Sequence, residues 1–223
     1  MVDEASYTAL GDRFRALWKR CLPQDVKMDV IPVYDDLVRR YREPGRYYHG
    51  WTHLRHCLRE FDRAAGRMEN PDAVELALWF HDAVHVPCAR DNEQRSADLF
   101  RLGGRGWFSP ALVEKVCGLI LITMHKQSPD EGDESYVVDI DLSSFGEPWS
   151  DFLRDTRNVR NEQSHVPDAI YYPAHARFLK MLLNRPRIFH TDFFFACYEE
   201  SARRNIQRLL ASARYPVEIY ERD

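Results

Sequence analysis

Apolar residues recur with a helical period along nearly the whole chain, and almost no segment alternates apolar and polar residues as a half-buried strand would. The pattern therefore predicts an all-α protein. The expected helices are 4–20, 31–42, 50–67, 71–84, 92–102, 110–126, 136–145, 148–164, 168–183 and 191–212.

Capping and helix-breaking residues support these boundaries. Asn70 and Ser109 each stand directly before a proline, which favours a helix start because the side chain caps free N–H groups and the proline gives up no helical hydrogen bond. The segments "EPGR" at 43–46, "LGGRG" at 102–106 and "SPDEGD" at 128–133 interrupt the pattern where turns are expected. Since no repeat or linker is visible, residues 1–223 are predicted to form one domain.

Composition narrows the classes of function. The 223 residues are 44% hydrophobic and 13% aromatic, which is enough to bury a sizeable core. A net charge of −4 with interspersed signs argues against polymeric nucleic acid as a partner. The acidic start "MVDEASYTALGDRF" and the lack of a long apolar stretch predict a cytoplasmic protein without membrane contact. The five cysteines form no CxxC pair and are expected to be reduced.

The predicted helix 50–67 carries several histidines. In "HGWTHLRHCLREF" His53 lies at the edge of the apolar stripe, whereas His56 is expected to point to solvent. His49 stands one turn earlier and is placed to reach the same region. A lone histidine at position 53 would be an ordinary boundary residue. The stripe itself consists of Leu54, Cys57, Leu58 and Phe61.

The predicted helix 71–84 is apolar nearly all round, which places it at the centre of the core. His81 and Asp82 come near its C-terminal end, where the helix dipole disfavours a carboxylate unless a cation offsets it. That cation is either a metal ion or an arginine, and in the second case His81 is a satisfied core histidine.

Helical geometry separates the two aspartates of "SYVVDIDLSSFG". Asp141 falls on the buried stripe, whereas Asp139 falls with Ser143 on the opposite, polar face. If the segment were a strand, both aspartates would share a face. A carboxylate on an apolar stripe needs a positively charged side chain or a metal ion as its partner.

Two imidazoles and two carboxylates thus lean toward the core from three predicted helices: His53, the pair His81 and Asp82, and Asp141. This mixture of nitrogen and oxygen donors suits a divalent ion such as manganese, iron, cobalt, nickel, zinc or magnesium. The sequence therefore predicts a metal site inside a helical bundle.

This set of residues resembles the signature of the HD-domain superfamily of metal-dependent phosphohydrolases. That signature is a histidine, a later His-Asp pair and a distant aspartate. The successive segments look like those of one subgroup of predicted HD phosphohydrolases, over most of residues 46–210, with the signature region at about 46–146. They are "RYYHGWTHL", "FHDAVH...DNEQRSA", "ITMHK", "DIDLSSFG", "VRNEQ" and "ARRNIQRLL". His53, His81, Asp82 and Asp141 match the signature, and His85 stands where related sequences often have tyrosine.

The resemblance implies a compact multi-helix bundle in which a metal-activated water attacks a small phosphorylated substrate, a nucleotide or another phosphate ester. Glu93 matches the acidic residue that positions the water in some HD enzymes, although a first-turn glutamate also complements the helix dipole. His125 is the other candidate catalytic residue beside Glu93: it is expected on the apolar face of its helix next to Lys126, where it either reaches the pocket or bonds to a backbone carbonyl. Arg157 and Arg160 are candidate phosphate contacts.

Two other classes of function stay open. Some HD-fold proteins hold two irons and activate oxygen, and His49, His85 and His125 are placed to complete a second iron site. A non-catalytic module that binds a nucleotide signal in the same pocket is the other alternative. The sequence contains no P-loop, dinucleotide glycine fingerprint or catalytic serine elbow.

Overall fold

The computed structural model describes residues 4–24 and 26–212, and within these ranges it contains ten α-helices and no β-strand. The all-α prediction is confirmed, and each predicted helix has a counterpart. The helices are α1 (Glu4–Cys21), α2 (Ile31–Tyr41), α3 (Trp51–Ala64), α4 (Pro71–Phe80), α5 (Asn92–Gly104), α6 (Pro110–Leu121), α7 (Asp133–Leu142), α8 (Trp149–Glu162), α9 (Asp168–Asn184) and α10 (Asp192–Leu210). Among these described helices, none is both long and apolar enough to cross a membrane.

Side-chain caps set two of the helix starts as the sequence predicts. Oδ1 of Asn70 accepts a hydrogen bond from the backbone N–H of Ala73 at 3.0 Å, ahead of α4. Oγ of Ser109 accepts one from the N–H of Leu112 at 3.2 Å, ahead of α6. Each cap stabilises its helix by about 1 kcal/mol.

Helix α4 lies at the centre of the core. All its residues from Ala73 to Phe80 are buried, and it packs against α1, α3, α5, α6 and α7. The ring of Trp79 meets the ring of Phe14 on α1 edge to face, with 5.0 Å between centroids. Because the helix is apolar on nearly every side, burying it on every side stabilises it, with the buried Glu75 paired to Arg13 at 2.6 Å. The turn that follows it is therefore held deep in the protein.

Four helices end or begin three or more residues earlier than their apolar pattern suggests, and α3 is the first, since it ends at Ala64 and not at 67. Helix α4 ends at Phe80 and not at 84, α6 ends at Leu121 and not at 126, and α7 spans Asp133–Leu142 and not 136–145. Short 3₁₀ segments follow α3, α6 and α7, at Ala65–Arg67, Ile122–Met124 and Ser143–Gly146. Apolar residues continue past the helix ends because the turns are buried as well, so periodicity alone does not reveal where the helical hydrogen bonds stop.

The segment after α7 is pressed against α10. A Cβ atom at Gly146 would lie 2.5 Å from the Cβ of Tyr198, so only glycine allows this approach. Nδ2 of Asn205 donates hydrogen bonds to the carbonyl oxygens of Phe145 at 2.9 Å and Glu147 at 2.8 Å. These contacts fix the C-terminal end of α7, which carries Asp141.

Candidate metal centre

His53 lies in the first turn of α3, and its imidazole is buried, which confirms the inward orientation. The helix starts directly after Gly50, where the backbone passes close to other carbonyl groups. A Cβ atom at Gly50 would lie 3.0 Å from the carbonyl oxygen of Arg46 and 3.1 Å from that of Tyr41. A larger residue would displace these carbonyls, so the glycine fixes the position from which His53 projects.

His81 and Asp82 form the turn after α4 and do not continue the helix. Nδ1 of His81 lies 2.9 Å from the carbonyl oxygen of Leu78, which can only accept a hydrogen bond. Nδ1 therefore carries a proton, and Nε2 is the atom that His81 presents to Asp82, at 3.1 Å from Oδ2.

The side chain of Arg46 braces this turn, although sequence reasoning gave the residue no role. Its guanidinium is almost fully buried and donates hydrogen bonds to the carbonyl oxygens of Asp82 at 2.5 Å, Ala83 at 3.0 Å and His49 at 3.1 Å. One cation thus joins the segment before α3 to the turn after α4. Its only sequence signal is its place at the head of "RYYHGWTHL".

Asp141 projects from α7 toward both histidines, as the helical periodicity predicts. Its Oδ1 lies 3.1 Å from Nε2 of His53 and 3.7 Å from Nε2 of His81. Its Oδ2 lies 3.0 Å from Nε2 of His125. The carboxylate therefore connects the two histidines to a third one.

Both predicted carboxylate ligands lie close to both predicted imidazole ligands. The Nε2 atoms of His53 and His81 are 3.3 Å apart, and Oδ2 of Asp82 lies 3.5 Å from Nε2 of His53. Ligand atoms that share an ion at about 2.1 Å are separated by about 3.0 to 3.4 Å, which is close to these spacings. Oδ2 of Asp82 is buried and has no hydrogen-bond partner of good geometry. The donor set fits a divalent metal ion.

Electrostatics shows that the cluster requires a positive charge. Burial lowers the pKa of His81, but the carboxylates of Asp82 and Asp141 together with the carbonyl of Leu78 outweigh burial and raise this pKa to about 9. Burial would raise the pKa of Asp82, yet the neighbouring His81 and His49 bring it well below its usual range. Without an ion the cluster therefore holds a proton on His81, and a divalent cation would displace that proton.

Cys57 borders the cluster, whereas the sequence predicts only that it is reduced and lies on the apolar stripe of its helix. Its Sγ lies 3.5 Å from Nε2 of His53, and the donor atoms of Cys57, His53, His81 and Asp141 all lie within 4.8 Å of one another. Burial and the charge of Asp141 raise the pKa of the thiol well above its ordinary value, which keeps it protonated. The signal for its position was the four-residue spacing from His53 on the same helix face.

The expectation that Asp139 lies on a polar face is wrong, because this side chain is completely buried. Its carboxylate accepts hydrogen bonds from the backbone N–H groups of His190 at 2.8 Å and Thr191 at 2.7 Å, and from the Thr191 hydroxyl at 2.7 Å. The segment before α10 covers this side of α7, so Asp139 serves as its anchor and does not face the metal cluster.

Glu93 and His125 both line a cavity of about 420 Å³ whose wall also includes Asp82 and Asp141. His125 reaches it from a left-handed backbone position, with φ of 53°, directly after the 3₁₀ segment at Ile122–Met124. It is not on the helical stripe that the sequence predicted. The structure thus brings Glu93 and His125, the two candidate catalytic residues, to the same cavity as Asp82 and Asp141.

His49 and His85 form a second cluster with Glu162, separate from His125. Their rings stack with 4.3 Å between centroids, and Oε2 of Glu162 lies 2.6 Å from Nδ1 of His49 and 3.5 Å from Nε2 of His85. Oε1 of Glu162 accepts the backbone N–H groups of Tyr48 and His49, at 2.7 and 2.8 Å. Burial lowers the pKa of His85 to about 4, so this imidazole is neutral. Glu162 belongs to the "VRNEQ" segment, which was its only sequence signal.

The expectation that His56 points to solvent is also wrong. Oγ of Ser143 donates to the carbonyl of Ile140, so it accepts from Nε2 of His56 at 2.7 Å. Nδ1 of His56 then accepts from Arg59 at 2.8 Å. Burial lowers the pKa of His56 to about 3. With both nitrogens bonded, His56 is a structural residue even though Glu60 and Glu147 stand nearby.

The proposed phosphate-binding arginines do not line the cavity, although Arg160 stacks on the wall residue Tyr171 at 4.7 Å from the ring centroid. Arg160 donates to the carbonyl oxygens of Gln163 and Val166 and pairs with Asp168 at 2.7 Å, and Arg157 is exposed. Lys126 reaches only Sδ of Met124, at 3.5 Å. None of these three cations lines the cavity.

Comparison with models of known protein families gave no match. The curated proteins and the solved structures gave no match either. The helical fold and the buried cluster of His53, His81 and Asp141 are compatible with the resemblance to the HD superfamily. A functional conclusion therefore depends on the arrangement of the residues themselves.

Proposed function

We propose that this chain is a metal-dependent hydrolase of small phosphate esters. The observation that carries the proposal is the convergence of two imidazole nitrogens and two carboxylate oxygens beside one cavity, with a buried Asp82 oxygen that lacks a hydrogen bond. The resemblance of the signature residues to those of the HD superfamily supports the same reaction class.

The proposed ligands are His53, His81, Asp82 and Asp141, and not the neighbouring Cys57. Oδ2 of Asp82 is charged, buried and 3.1 Å from Nε2 of His81, whereas the thiol of Cys57 is held in its neutral form by burial. Mixed nitrogen and oxygen ligands suit manganese, iron, cobalt, nickel, zinc or magnesium. When bound, such an ion supplies Lewis acidity, which lowers the pKa of water and neutralises charge on phosphoryl oxygens.

Neighbouring groups hold the ligands in place. The hydrogen bond from Nδ1 of His81 to Leu78 fixes the ring so that Nε2 faces the cluster. His125 contacts Oδ2 of Asp141, which leaves Oδ1 directed at His53, so His125 acts by positioning that carboxylate. Glu93, on the wall of the same cavity, is proposed as the base that takes a proton from the attacking water.

Metal analysis of freshly purified protein, followed by a phosphate-release assay, tests the proposal. The assay uses several phosphate esters with and without chelator, then with each divalent ion added back. We expect phosphate release that disappears with chelator and returns with a divalent ion. Release that survives chelation, or no release from any ester with any ion, would overturn the proposal.

A second candidate function is that of a di-iron oxygenase, which the cluster of His49, His85 and Glu162 favours. These three side chains could hold a second ion beside the first, since their donor atoms lie within 4.8 Å of one another. The same assays run with and without oxygen separate the two functions. Two irons per chain and oxygen-dependent turnover without phosphate release would favour the oxygenase.

A further inference from the structure

The cavity beside the metal cluster has two chemically different parts. Asp82, Asp141 and His125 occupy one part, next to the ligands. The remainder is formed largely by α8, α9 and the segment after α7. These elements contribute polar groups on Ser144, Asp155, Thr156, Gln163 and His175. They also contribute apolar and aromatic side chains. These are Phe145, Phe152, Val159, Tyr171, Ala174 and Phe178.

The aromatic part is continuous and already ordered. The ring of Phe145 lies 5.9 Å from the ring of Phe152 and 6.3 Å from that of Phe178, measured between centroids. Phe145 and Phe178 are only partly buried by the protein, so each keeps ring surface that faces the cavity. An apolar group placed there would remove this surface from water.

The charges of the wall disfavour a second anionic group on a ligand. Among the described residues that line the cavity there is no lysine or arginine, whereas Glu93 and Asp155 add two carboxylates to those of the cluster. The wall histidine His175 does not compensate, because burial lowers its pKa to about 4 and leaves it neutral. Only the bound metal ion would offset a phosphate, and only at the ligand end of the cavity.

We infer that the substrate is a phosphate monoester whose alcohol portion is apolar and aromatic, and not a polyphosphate or a sugar bisphosphate. This inference rests on the proposed hydrolase function and names its substrate class. In the reaction the oxygen of water bonds to phosphorus and the bond from phosphorus to the ester oxygen breaks. One proton of the water passes to Glu93 and a proton returns to the leaving oxygen, which yields the free alcohol and inorganic phosphate.

Steady-state kinetics on the metal-loaded protein tests the inference with four substrates: naphthyl phosphate, methyl phosphate, a sugar bisphosphate and a nucleoside triphosphate. We expect kcat/KM for naphthyl phosphate to exceed that of both polyanions by about tenfold or more, because burial of the ring contributes in the transition state. Preference for either polyanion would overturn the inference.

Variants of the cavity wall make the test specific. Phe178→Ala should lower kcat/KM for naphthyl phosphate by about tenfold more than it lowers kcat/KM for methyl phosphate. Phe195→Ala, an exposed phenylalanine on α10 outside the cavity, is the matched control. Val159→Lys should shift preference toward the sugar bisphosphate, whereas Asn158→Lys on the same helix but outside the cavity should not. Unchanged selectivity in both Phe178→Ala and Val159→Lys would contradict the inference.

Fluorescence titration of chelated protein with naphthol separates failure of the inference from failure of the hydrolase proposal. Naphthol should bind without metal, and Phe178→Ala should weaken this binding by about tenfold. Binding of naphthol together with a lack of phosphate release would reject the hydrolase and with it this substrate class. Phosphate release without any naphthol binding would reject the apolar substrate while the hydrolase stands.

Discussion

The imidazoles of His53 in α3 and His81 in the turn after α4 face each other through their Nε2 atoms at 3.3 Å, although the residues lie 28 positions apart. Nδ1 of His81 donates its proton to the carbonyl of Leu78. A second proton or a metal ion is therefore needed between Nε2 of His81 and the adjacent carboxylate of Asp82. This shared requirement for a cation makes the pair the centre of the candidate site.

Removal of a ligand should empty the site. We expect His81→Ala and Asp82→Ala to lose most of the bound metal, because each removes a donor from the cluster. Elemental analysis of the purified variants measures this. The control is His165→Ala, which removes an exposed histidine near Cys88. Equal metal content in all three variants would eliminate the proposed site.

Substitution of the two aspartates of α7 should have different effects on metal binding and on stability. Asp141→Ala should abolish metal binding, because its Oδ1 points at both ligand histidines. Asp139→Ala should retain the ligand set but destabilise the fold by about 2 kcal/mol, because it leaves the part-buried N–H groups of His190 and Thr191 without an acceptor. Metal content and denaturant unfolding of both variants are the measurements. Loss of metal in Asp139→Ala at a temperature where it is folded would contradict the assignment.

Two substitutions should separate the effect of ligand charge on the metal from the effect of proton transfer to the base. Asp82→Asn keeps the shape of the side chain but removes a ligand charge, so it should lower both turnover of an accepted ester and metal affinity. Glu93→Gln should lower turnover by about two orders of magnitude and leave metal content unchanged, because Glu93 is assigned to the water. Turnover and metal content are measured on the same preparations. Full activity in Asp82→Asn would rule out the mechanism.

Stability of the metal-free protein should depend on the protonation of His81. Its pKa of about 9 in the folded protein exceeds the ordinary 6.5, so the folded state binds this proton more tightly than the unfolded state. The resulting stabilisation is complete below pH 6.5 and disappears as the pH rises through about 9. Thermal unfolding of chelated protein across this range measures the effect. His81→Ala should lack this part of the pH dependence of stability. The same pH dependence in both proteins would count against the assigned role of His81.

The periodic pattern was sufficient to predict the ten described helices and the inward orientation of His53, because burial of an apolar stripe dictates both. Asp141 also points at His53, but α7 is buried on both faces, so an apolar stripe does not set its direction. The pattern failed at Asp139 and His56. Both are polar side chains that the fold buries under hydrogen-bond partners distant in sequence, Thr191 and Ser143. When the sequence of one helix is analysed alone, such residues are predicted to face solvent. That sequence does not show which distant segment will pack over them.

Residues that bridge segments were the hardest to predict. Glu162 reaches the backbone of His49 across 113 positions, and Arg46 reaches Asp82 across 36. Their roles follow from buried carbonyl and N–H groups that need partners, and the need exists only after the helices have packed. The position of His125 could likewise not be predicted from the sequence. The apolar pattern predicts a helix through this residue, whereas its backbone conformation is left-handed.

The guanidinium of Arg46 has a consequence for how long an ion stays bound. It holds the carbonyl groups of His49 on one side and of Asp82 and Ala83 on the other, so neither ligand-bearing segment swings away without breaking bonds to a buried charge. We therefore expect metal exchange to be slow even where affinities for different ions are similar. The ion found after purification then reflects which metal was abundant when the chain folded, and equilibrium preference becomes visible only after stripping and reloading.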